Sequence, residues 1–265
     1  MRYGSQTALI LIAGYLWYFL LPNKIITIMN EVKTSQLDMN QKIFEQAKPY
    51  TMFLENKTEG WRGTGFQIMS PSGNVYIITN RHVCGSKAQV LQATPDPEIP
   101  GIPRRILAKD WNNDLCLLEA MPQNKKGLKI SKGYSLMEPA YAVGYPGDMP
   151  LSIVSGNILG EGFAIEEVEM ERCEKALVSD ITSGNNNRFK VLTELNLKTQ
   201  KIESSCNYKI KTLATSLPIY PGDSGSMLIN KNLEVLGVIW GTSKDDTHWG
   251  VAVPKDDVIL FLQLF

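Results

Sequence analysis

Three residues of this sequence have side chains that could act together in nucleophilic catalysis: His82, Asp114 and Ser224. A serine hydroxyl is a weak nucleophile until a neighbouring base removes its proton. A histidine can accept that proton near neutral pH and later return it to a leaving group. A carboxylate beside the histidine would hold the imidazole in the required tautomer and stabilise its charged form. The three residues are therefore a candidate catalytic triad.

Short apolar runs separated by turn residues would position the histidine and the aspartate. Residues 66–69 and 75–79 are predicted strands, and the second ends shortly before His82. A predicted strand at 105–108 is followed by polar residues up to Asp114, where another apolar strand begins. Taken singly, the histidine is typical of a structural residue and the aspartate of a turn. A carboxylate at the start of a buried strand is costly unless it is paired or hydrogen-bonded.

The candidate nucleophile lies in the segment Gly222-Asp223-Ser224-Gly225. Flanking glycines allow the tight backbone turn that exposes a hydroxyl. The same turn would direct backbone N–H groups to one point, as stabilisation of a developing oxyanion requires. Turns of this composition also occur in ordinary loops, so the prediction depends on the combination with the histidine and the aspartate.

Four segments resemble the trypsin/chymotrypsin superfamily of serine proteases: residues 63–66 (GTGF), 79–83 (TNRHV), 114–115 (DL) and 221–226 (PGDSGS). Within it, the chain is most similar to the bacterial Deg-type proteases and glutamyl endopeptidases. The resemblance implies an all-β fold of two antiparallel six-stranded barrels with the site in the cleft between them. It also implies a serine endopeptidase that forms an acyl-enzyme on Ser224, with an oxyanion hole at Gly222, Asp223 and Ser224. A catalytically inactive, peptide-binding protein of the same fold is the alternative.

The resemblance also implies where a substrate would bind. The strand at Trp240-Gly241 would pair with the substrate backbone as an added strand. Pro218, Ile219 and Ile239 would line the pocket for P1, the residue that precedes the cleaved bond. Glutamyl endopeptidases have a histidine in place of Ile239, and trypsin has an aspartate in place of Pro218. An apolar pocket for a small or aliphatic P1 side chain is therefore expected.

The predicted barrels occupy residues 49–133 and 134–265, and the second ends in a short C-terminal helix. A long insertion at 160–212 is expected to form extended hairpins. Its acidic run is typical of a solvated face, and a regulatory or specificity loop is the alternative. Residues 30–48 are polar with apolar residues at helical spacing, which fits a helical stalk or a disordered linker.

The N-terminal segment, residues 1–29, contains an unbroken apolar run at residues 8–21. A spanning helix needs about 20 apolar residues, which requires the helix to continue past Lys24. Aromatic residues in the run are typical of a membrane interface, and no small-residue cleavage site follows closely. We expect a single membrane anchor with the catalytic domain outside the cytoplasm. Secretion after signal cleavage is the alternative.

Composition and cysteine spacing exclude several classes of function. Basic and acidic residues both number 27, so no basic excess points to nucleic acid. Neither metal-ligand spacing nor a Gly-rich phosphate loop is present, so we expect no metal or cofactor and a protein or peptide substrate. Cys173 and Cys206 are the better candidates for a disulfide, and Cys116 is expected to be a small apolar core residue. A Cys84–Cys116 pairing stays open.

Overall fold

The computed structural model describes residues 21–123, 125–147, 149–168, 189–196, 201–242 and 249–265. The chain divides into two units, Met1–Ile43 and Phe44–Phe265. Helix α1 extends over Leu21–Ala47 and is followed by a 3-10 turn, Lys48–Tyr50. The segment expected to be a stalk or linker therefore has helical structure up to the first strand.

The predicted membrane anchor lies outside the described residues, except for the start of α1. Among the residues that are described, no helix is both long enough and apolar enough to cross a membrane.

The first barrel consists of six antiparallel strands: β1 (Thr51–Asn56), β2 (Trp61–Met69), β3 (Val75–Asn80), β4 (Val90–Thr94), β5 (Ile102–Asp110) and β6 (Leu115–Glu119). They close in the order β1-β2-β3-β6-β5-β4. A single helical turn, α2 (Arg81–Cys84), follows β3 directly. Alternate side chains point inward, and the core includes Leu54, Ile77, Leu91 and Leu118.

The second barrel contains seven strands: β7 (Pro139–Gly144), β8 (Ser152–Val168), β9 (Phe189–Asn196), β10 (Lys201–Pro218), β11 (Met227–Ile229), β12 (Val235–Thr242) and β13 (Trp249–Pro254). They follow the order β13-β12-β11-β7-β8-β10-β9, and pairing of β10 with β13 closes six of them. The outer strand, β9, pairs with β10. The prediction of two antiparallel six-stranded barrels is confirmed.

Two strands of the second barrel are unusually long. β8 has 17 residues and β10 has 18, and their pairing extends to Val168 and Cys206. In its described parts, the predicted insertion at 160–212 therefore consists of extended strands. The C-terminal helix α3 (Lys255–Leu262) follows β13 and buries Val258, Phe261 and Leu262. This helix was also predicted.

Cys116 is not the free core residue that was expected, because it forms a disulfide with Cys84. Thr79 lies opposite Cys116 in the pairing of β3 with β6. The turn α2 follows β3 at once, so it brings Cys84 back beside β6, with the two Cα atoms 6.5 Å apart. Strand pairing created this proximity between residues 32 positions apart. Cys173 lies outside the described residues, as does any pairing that it forms.

Candidate active site

Adjacent strands bring His82 to Asp114. Because Asn80 at the end of β3 lies opposite Leu115 at the start of β6, the residues just beyond these strand ends are neighbours. The Nδ1 atom of His82 is 2.5 Å from Oδ2 of Asp114. A carboxylate oxygen accepts, so Nδ1 carries the proton in the neutral imidazole. The tautomer leaves Nε2 free to act as a base.

Asp114 is fully buried and has a φ of 54°, a left-handed conformation that aspartate and asparagine adopt more readily than most residues. Its Oδ1 accepts hydrogen bonds from the backbone N–H of His82 at 3.2 Å and from Nε of Arg81 at 3.1 Å. Its backbone carbonyl accepts from the N–H of Arg81 at 2.8 Å and from Nδ2 of Asn80 at 3.2 Å. The bonds to Oδ1, together with the contact of Oδ2 with His82, offset the desolvation cost of the buried carboxylate.

Ser224 lies in the turn between β10 and β11, and Thr64 of the first barrel holds this turn in place. The N–H of Thr64 donates to the carbonyl of Ser224 at 2.9 Å. Its hydroxyl donates to the carbonyl of Gly222 at 2.9 Å and accepts from the N–H of Tyr145 at 3.0 Å. Hydrogen bonds between the two barrels therefore position the serine turn against the barrel that carries His82 and Asp114.

Two backbone N–H groups of the turn, those of Gly222 and Ser224, have no hydrogen-bond acceptor within the part of the chain that the structure describes. The N–H of Asp223 donates to the carbonyl of Tyr220 at 3.0 Å. Gly222 has a φ of 96°, which glycine adopts without steric cost. Of the three predicted oxyanion-hole residues, Gly222 and Ser224 thus present free amides, whereas the amide of Asp223 is occupied.

The hydroxyl of Ser224 donates to the backbone carbonyl of Trp240 at 3.3 Å. The structure forms no hydrogen bond between the side chains of Ser224 and His82, both of which lie in described segments. For the imidazole to take the hydroxyl proton, the serine side chain must leave the Trp240 carbonyl and turn towards Nε2. The geometry therefore corresponds to a resting arrangement of the candidate nucleophile.

The predicted substrate-binding residues lie on strands of the second barrel. Ile219 and Ile239 are buried in one apolar cluster, and Pro218 at the end of β10 is half-buried. Gly250 on β13 packs against this cluster, because a Cβ atom at this position would lie only 2.5 Å from Cγ1 of Ile219. Gly250 had not been identified from the sequence. None of these four residues has a charged side chain.

Trp240 and Gly241 lie in β12, on the side of the strand that faces the serine turn. The backbone of Ile239 still bonds to that turn, since its N–H donates to Ser226 and its carbonyl accepts from Gly225, at 2.9 and 2.8 Å. Beyond Ile239, β12 pairs with β13, where Gly241 lies opposite Val251. Among the described strands, none pairs with the other edge of β12 at Trp240-Gly241.

Asp223 is a buried carboxyl group in the serine turn. Its Oδ2 accepts a hydrogen bond from the backbone N–H of Tyr220 at 3.0 Å. Burial raises the pKa of Asp223 to about 6, and the bond from Tyr220, which lowers the pKa, offsets only part of this effect.

Between about pH 4 and pH 6, the Asp223 carboxyl is expected to make the free energy of unfolding fall as pH rises. The unfolded carboxyl loses its proton near pH 3.8, whereas the folded one keeps it to about 6, so the native state binds more protons in this interval. The stabilising contribution is complete below the pKa of Asp223 in the unfolded chain, and it is lost as the pH rises through the pKa in the folded chain. Its slope is at most about 1.4 kcal/mol per pH unit. Urea denaturation at several pH values in this interval should show that the free energy of unfolding falls less steeply with pH in Asp223→Asn than in the parent chain. The same pH dependence in both chains would contradict the assignment.

The profile of the family described as "Trypsin-like peptidase domain" matches residues 63–238. This chain belongs to that family. The match includes the segments with His82, Asp114 and Ser224. Among the described residues of this trypsin-like chain, no group of three or more His, Cys, Asp or Glu side chains could hold a metal ion.

Several bacterial proteases are similar to this trypsin-like chain. "Serine protease HtrA-like" of Staphylococcus epidermidis is 26% identical over 216 residues, which cover 77% of the chain and 31% of that protein. "Serine protease Do-like HtrA" of Lactococcus lactis is 24% identical over 251 residues, covering 89% and 53%. The chain therefore spans about a third to a half of the length of these curated relatives. The resemblance to Deg-type bacterial proteases is confirmed.

Solved structures have the same fold. The active form of the Rv3671c protease from M. tuberculosis aligns with a TM-score of 0.57 and 18% identity, covering 83% of this chain and 82% of that one. The serine endoprotease from Yersinia pestis aligns with a TM-score of 0.56 and 18% identity, covering 85% and 65%.

Two residues that organise the site had no role in the sequence prediction. Thr64 and Arg81 lie in segments that carry the family resemblance, but their contacts depend on residues distant in the chain. Arg81 had one local signal, because an arginine beside His82 follows a strand that was predicted to be apolar. Thr64 had none, since threonine is common in strands.

Proposed function

We propose that this chain is a serine endopeptidase that hydrolyses peptide bonds through an acyl-enzyme on Ser224. The observation that carries the proposal is the 2.5 Å contact of His82 Nδ1 with the buried carboxylate of Asp114. That contact leaves Nε2 as a free base. Membership of the trypsin-like family supports the same chemistry.

In the proposed reaction, Ser224 Oγ attacks the carbonyl carbon of the scissile bond while Nε2 of His82 takes the hydroxyl proton. The N–H groups of Gly222 and Ser224 donate to the oxyanion of the tetrahedral intermediate. When the C–N bond breaks, His82 gives its proton to the leaving amine. Water then attacks the acyl ester with the same imidazole as base, and the serine hydroxyl is restored. Asp114 orients the imidazole and stabilises its charged form.

A peptide-binding protein without catalysis is the second candidate. It is favoured by one observation, the hydrogen bond from Ser224 Oγ to the carbonyl of Trp240. A serine held in that arrangement is not activated by His82.

A fluorophosphonate probe distinguishes these two functions, because it labels only an activated serine. We expect the full chain to be labelled, Ser224→Ala to remain unlabelled, and Ser226→Ala to be labelled. Ser226 is a matched control, since it is a fully buried serine only two positions away. Labelling that persists in Ser224→Ala would contradict the assigned nucleophile. A folded wild-type chain that is not labelled would favour the peptide-binding function.

The P1 side chain is proposed to be small or aliphatic. Ile219 and Ile239 belong to a buried apolar cluster, and Pro218 at the end of β10 is half-buried, so no charged group is offered to a P1 side chain there. The substrate backbone is proposed to pair with Trp240-Gly241 as an added strand. Cleavage-site mapping on a peptide library should return alanine, valine or leucine at P1. A preference for arginine or glutamate would refute this pocket assignment.

The catalytic domain is proposed to lie outside the cytoplasm, attached to the membrane by the N-terminal apolar segment. The Cys84–Cys116 disulfide supports this location, since disulfides persist mainly in oxidising compartments. In expressing cells, externally added protease should digest the domain, and the intact chain should stay with carbonate-washed membranes. A shortened chain in the medium would instead indicate signal cleavage and secretion.

A further inference from the structure

Arg81, the first residue of α2, is buried next to the carboxylate of the candidate triad. Its side chain is only 10% exposed. Nε lies 3.1 Å from Oδ1 of Asp114, and the guanidinium carbon lies 4.7 Å from the centre of the Trp111 ring. A charged side chain is rarely buried without a partner, and here the partners are a carboxylate and an aromatic face. The arginine is thus held between the two.

The two oxygens of Asp114 have separate roles. Oδ2 receives Nδ1 of His82, whereas Oδ1 receives the backbone N–H of His82 and Nε of Arg81. Because a guanidinium is planar and its donors point in fixed directions, this bond restricts rotation of the carboxylate about its Cβ–Cγ bond. The plane of the carboxylate in turn determines the direction of Oδ2 towards His82.

Other charged groups around the pair have different partners. Lys109 donates to the backbone carbonyls of Ser86 and Ala88, at 3.3 and 3.0 Å. Asp110 accepts hydrogen bonds within its own turn, and Asp223 accepts one from the N–H of Tyr220. Arg81 contacts the Asp114 carboxylate directly.

We propose that Arg81 is a positioning residue of the triad. It fixes the orientation of the Asp114 carboxylate through Oδ1. Its positive charge also partly offsets the negative charge of that carboxylate at the imidazole of His82. The inference rests on the proposed peptidase function, since it assigns a role within that reaction. Arg81 acts through Asp114 and His82 and does not contact the substrate.

Arg81→Met is expected to lower kcat by roughly ten- to hundredfold with little change in KM, because small misplacements of reacting groups have effects of this size. Loss of the positive charge should also move the acidic limb of the kcat/KM profile up by roughly half to one pH unit, since the imidazole then holds its proton more strongly. Arg105→Met is the matched control, because Arg105 forms an exposed ion pair with Glu119 at 3.0 Å. It should change neither quantity.

Arg81→Lys separates charge from geometry. Lysine keeps the positive charge but does not have the planar donor group, so the acidic limb should stay near its wild-type position while kcat falls. If Arg81→Met fails to fold, the kcat of Arg81→Lys is the measurement that tests the proposal. Wild-type kcat in Arg81→Lys, or an unshifted acidic limb in a folded Arg81→Met, would overturn the proposal.

A measurement that does not need hydrolysis keeps this inference distinct from the proposed function. The chain has two histidines, so His248→Gln leaves the imidazole of His82 as the only one to follow by NMR. Its titration midpoint should be higher in Arg81→Met than in the parent chain, and the same midpoint in both would refute the role of Arg81. A shifted midpoint in a chain without peptidase activity would support the contact and reject the proposed function.

Discussion

Replacing Asp114 with asparagine is expected to lower kcat by about 10⁴-fold while the fold is retained. An asparagine that places its amide nitrogen towards His82 would favour the tautomer with the proton on Nε2, and the base would then be lost. Asparagine accepts the left-handed φ of 54° as readily as aspartate does, and its Oδ1 can still accept from Nε of Arg81, so the fold should survive the weaker pair. Steady-state kinetics on a peptide substrate, with circular dichroism to verify folding, would measure the effect.

Asp110→Asn is a matched control for this prediction. Asp110 lies four residues earlier in the same turn, and its Oδ1 accepts from the N–H groups of Asn112 and Asn113, at 2.8 and 3.1 Å. An asparagine can accept the same two bonds and loses only the bond from Nδ2 of Asn113 to Oδ2, at 2.9 Å, so kcat should remain close to that of the parent chain. A similar loss in both variants would indicate disruption of the turn and would reject a specific role for Asp114.

Removal of the disulfide by the double substitution Cys84→Ala and Cys116→Ala is expected to lower the free energy of unfolding by about 2–5 kcal/mol. The bond joins residues 32 positions apart, and both cysteines are fully buried. The loss therefore combines a less restricted unfolded chain with small gaps in the first barrel. Urea denaturation of the double variant against the parent chain measures it.

The same disulfide connects the two elements that carry His82 and Asp114. Cys84 ends the turn that contains His82, and Cys116 is the second residue after Asp114. A reductant should destabilise the parent chain more than the double variant, in which only Cys173 and Cys206 remain to be reduced. If the double variant unfolds at the parent's urea concentration, the bond has no stabilising role.

Much of the fold could be predicted because its signals are local. Alternating apolar residues around a polar turn define the hairpin of β2 and β3, and the apolar run after Asp114 defines β6. The helix after Pro254 likewise has its apolar side chains at helical spacing. The order of the candidate triad along the chain, together with the glycine-flanked serine, was sufficient to suggest the family.

Contacts between distant strands could not be predicted in this way. The Cys84–Cys116 bond could only be left open from the sequence, because its proximity arises from the pairing of β3 with β6, and sequence spacing does not encode that pairing. The bond from Thr64 to the carbonyl of Gly222 likewise joins two barrels across 158 positions. A threonine in a strand gives no sign of such a partner.

The sequence by itself determined the residue types, their order and the strands that carry them, because strand periodicity and turn chemistry act over a few residues. Only the tertiary structure decided which amides of the serine turn remain free, where the hydroxyl of Ser224 points, and that Arg81 lies against Asp114. These features depend on hydrogen bonds between segments that meet when the barrels close. A buried polar group must find its partners among whatever the closed barrels bring within reach.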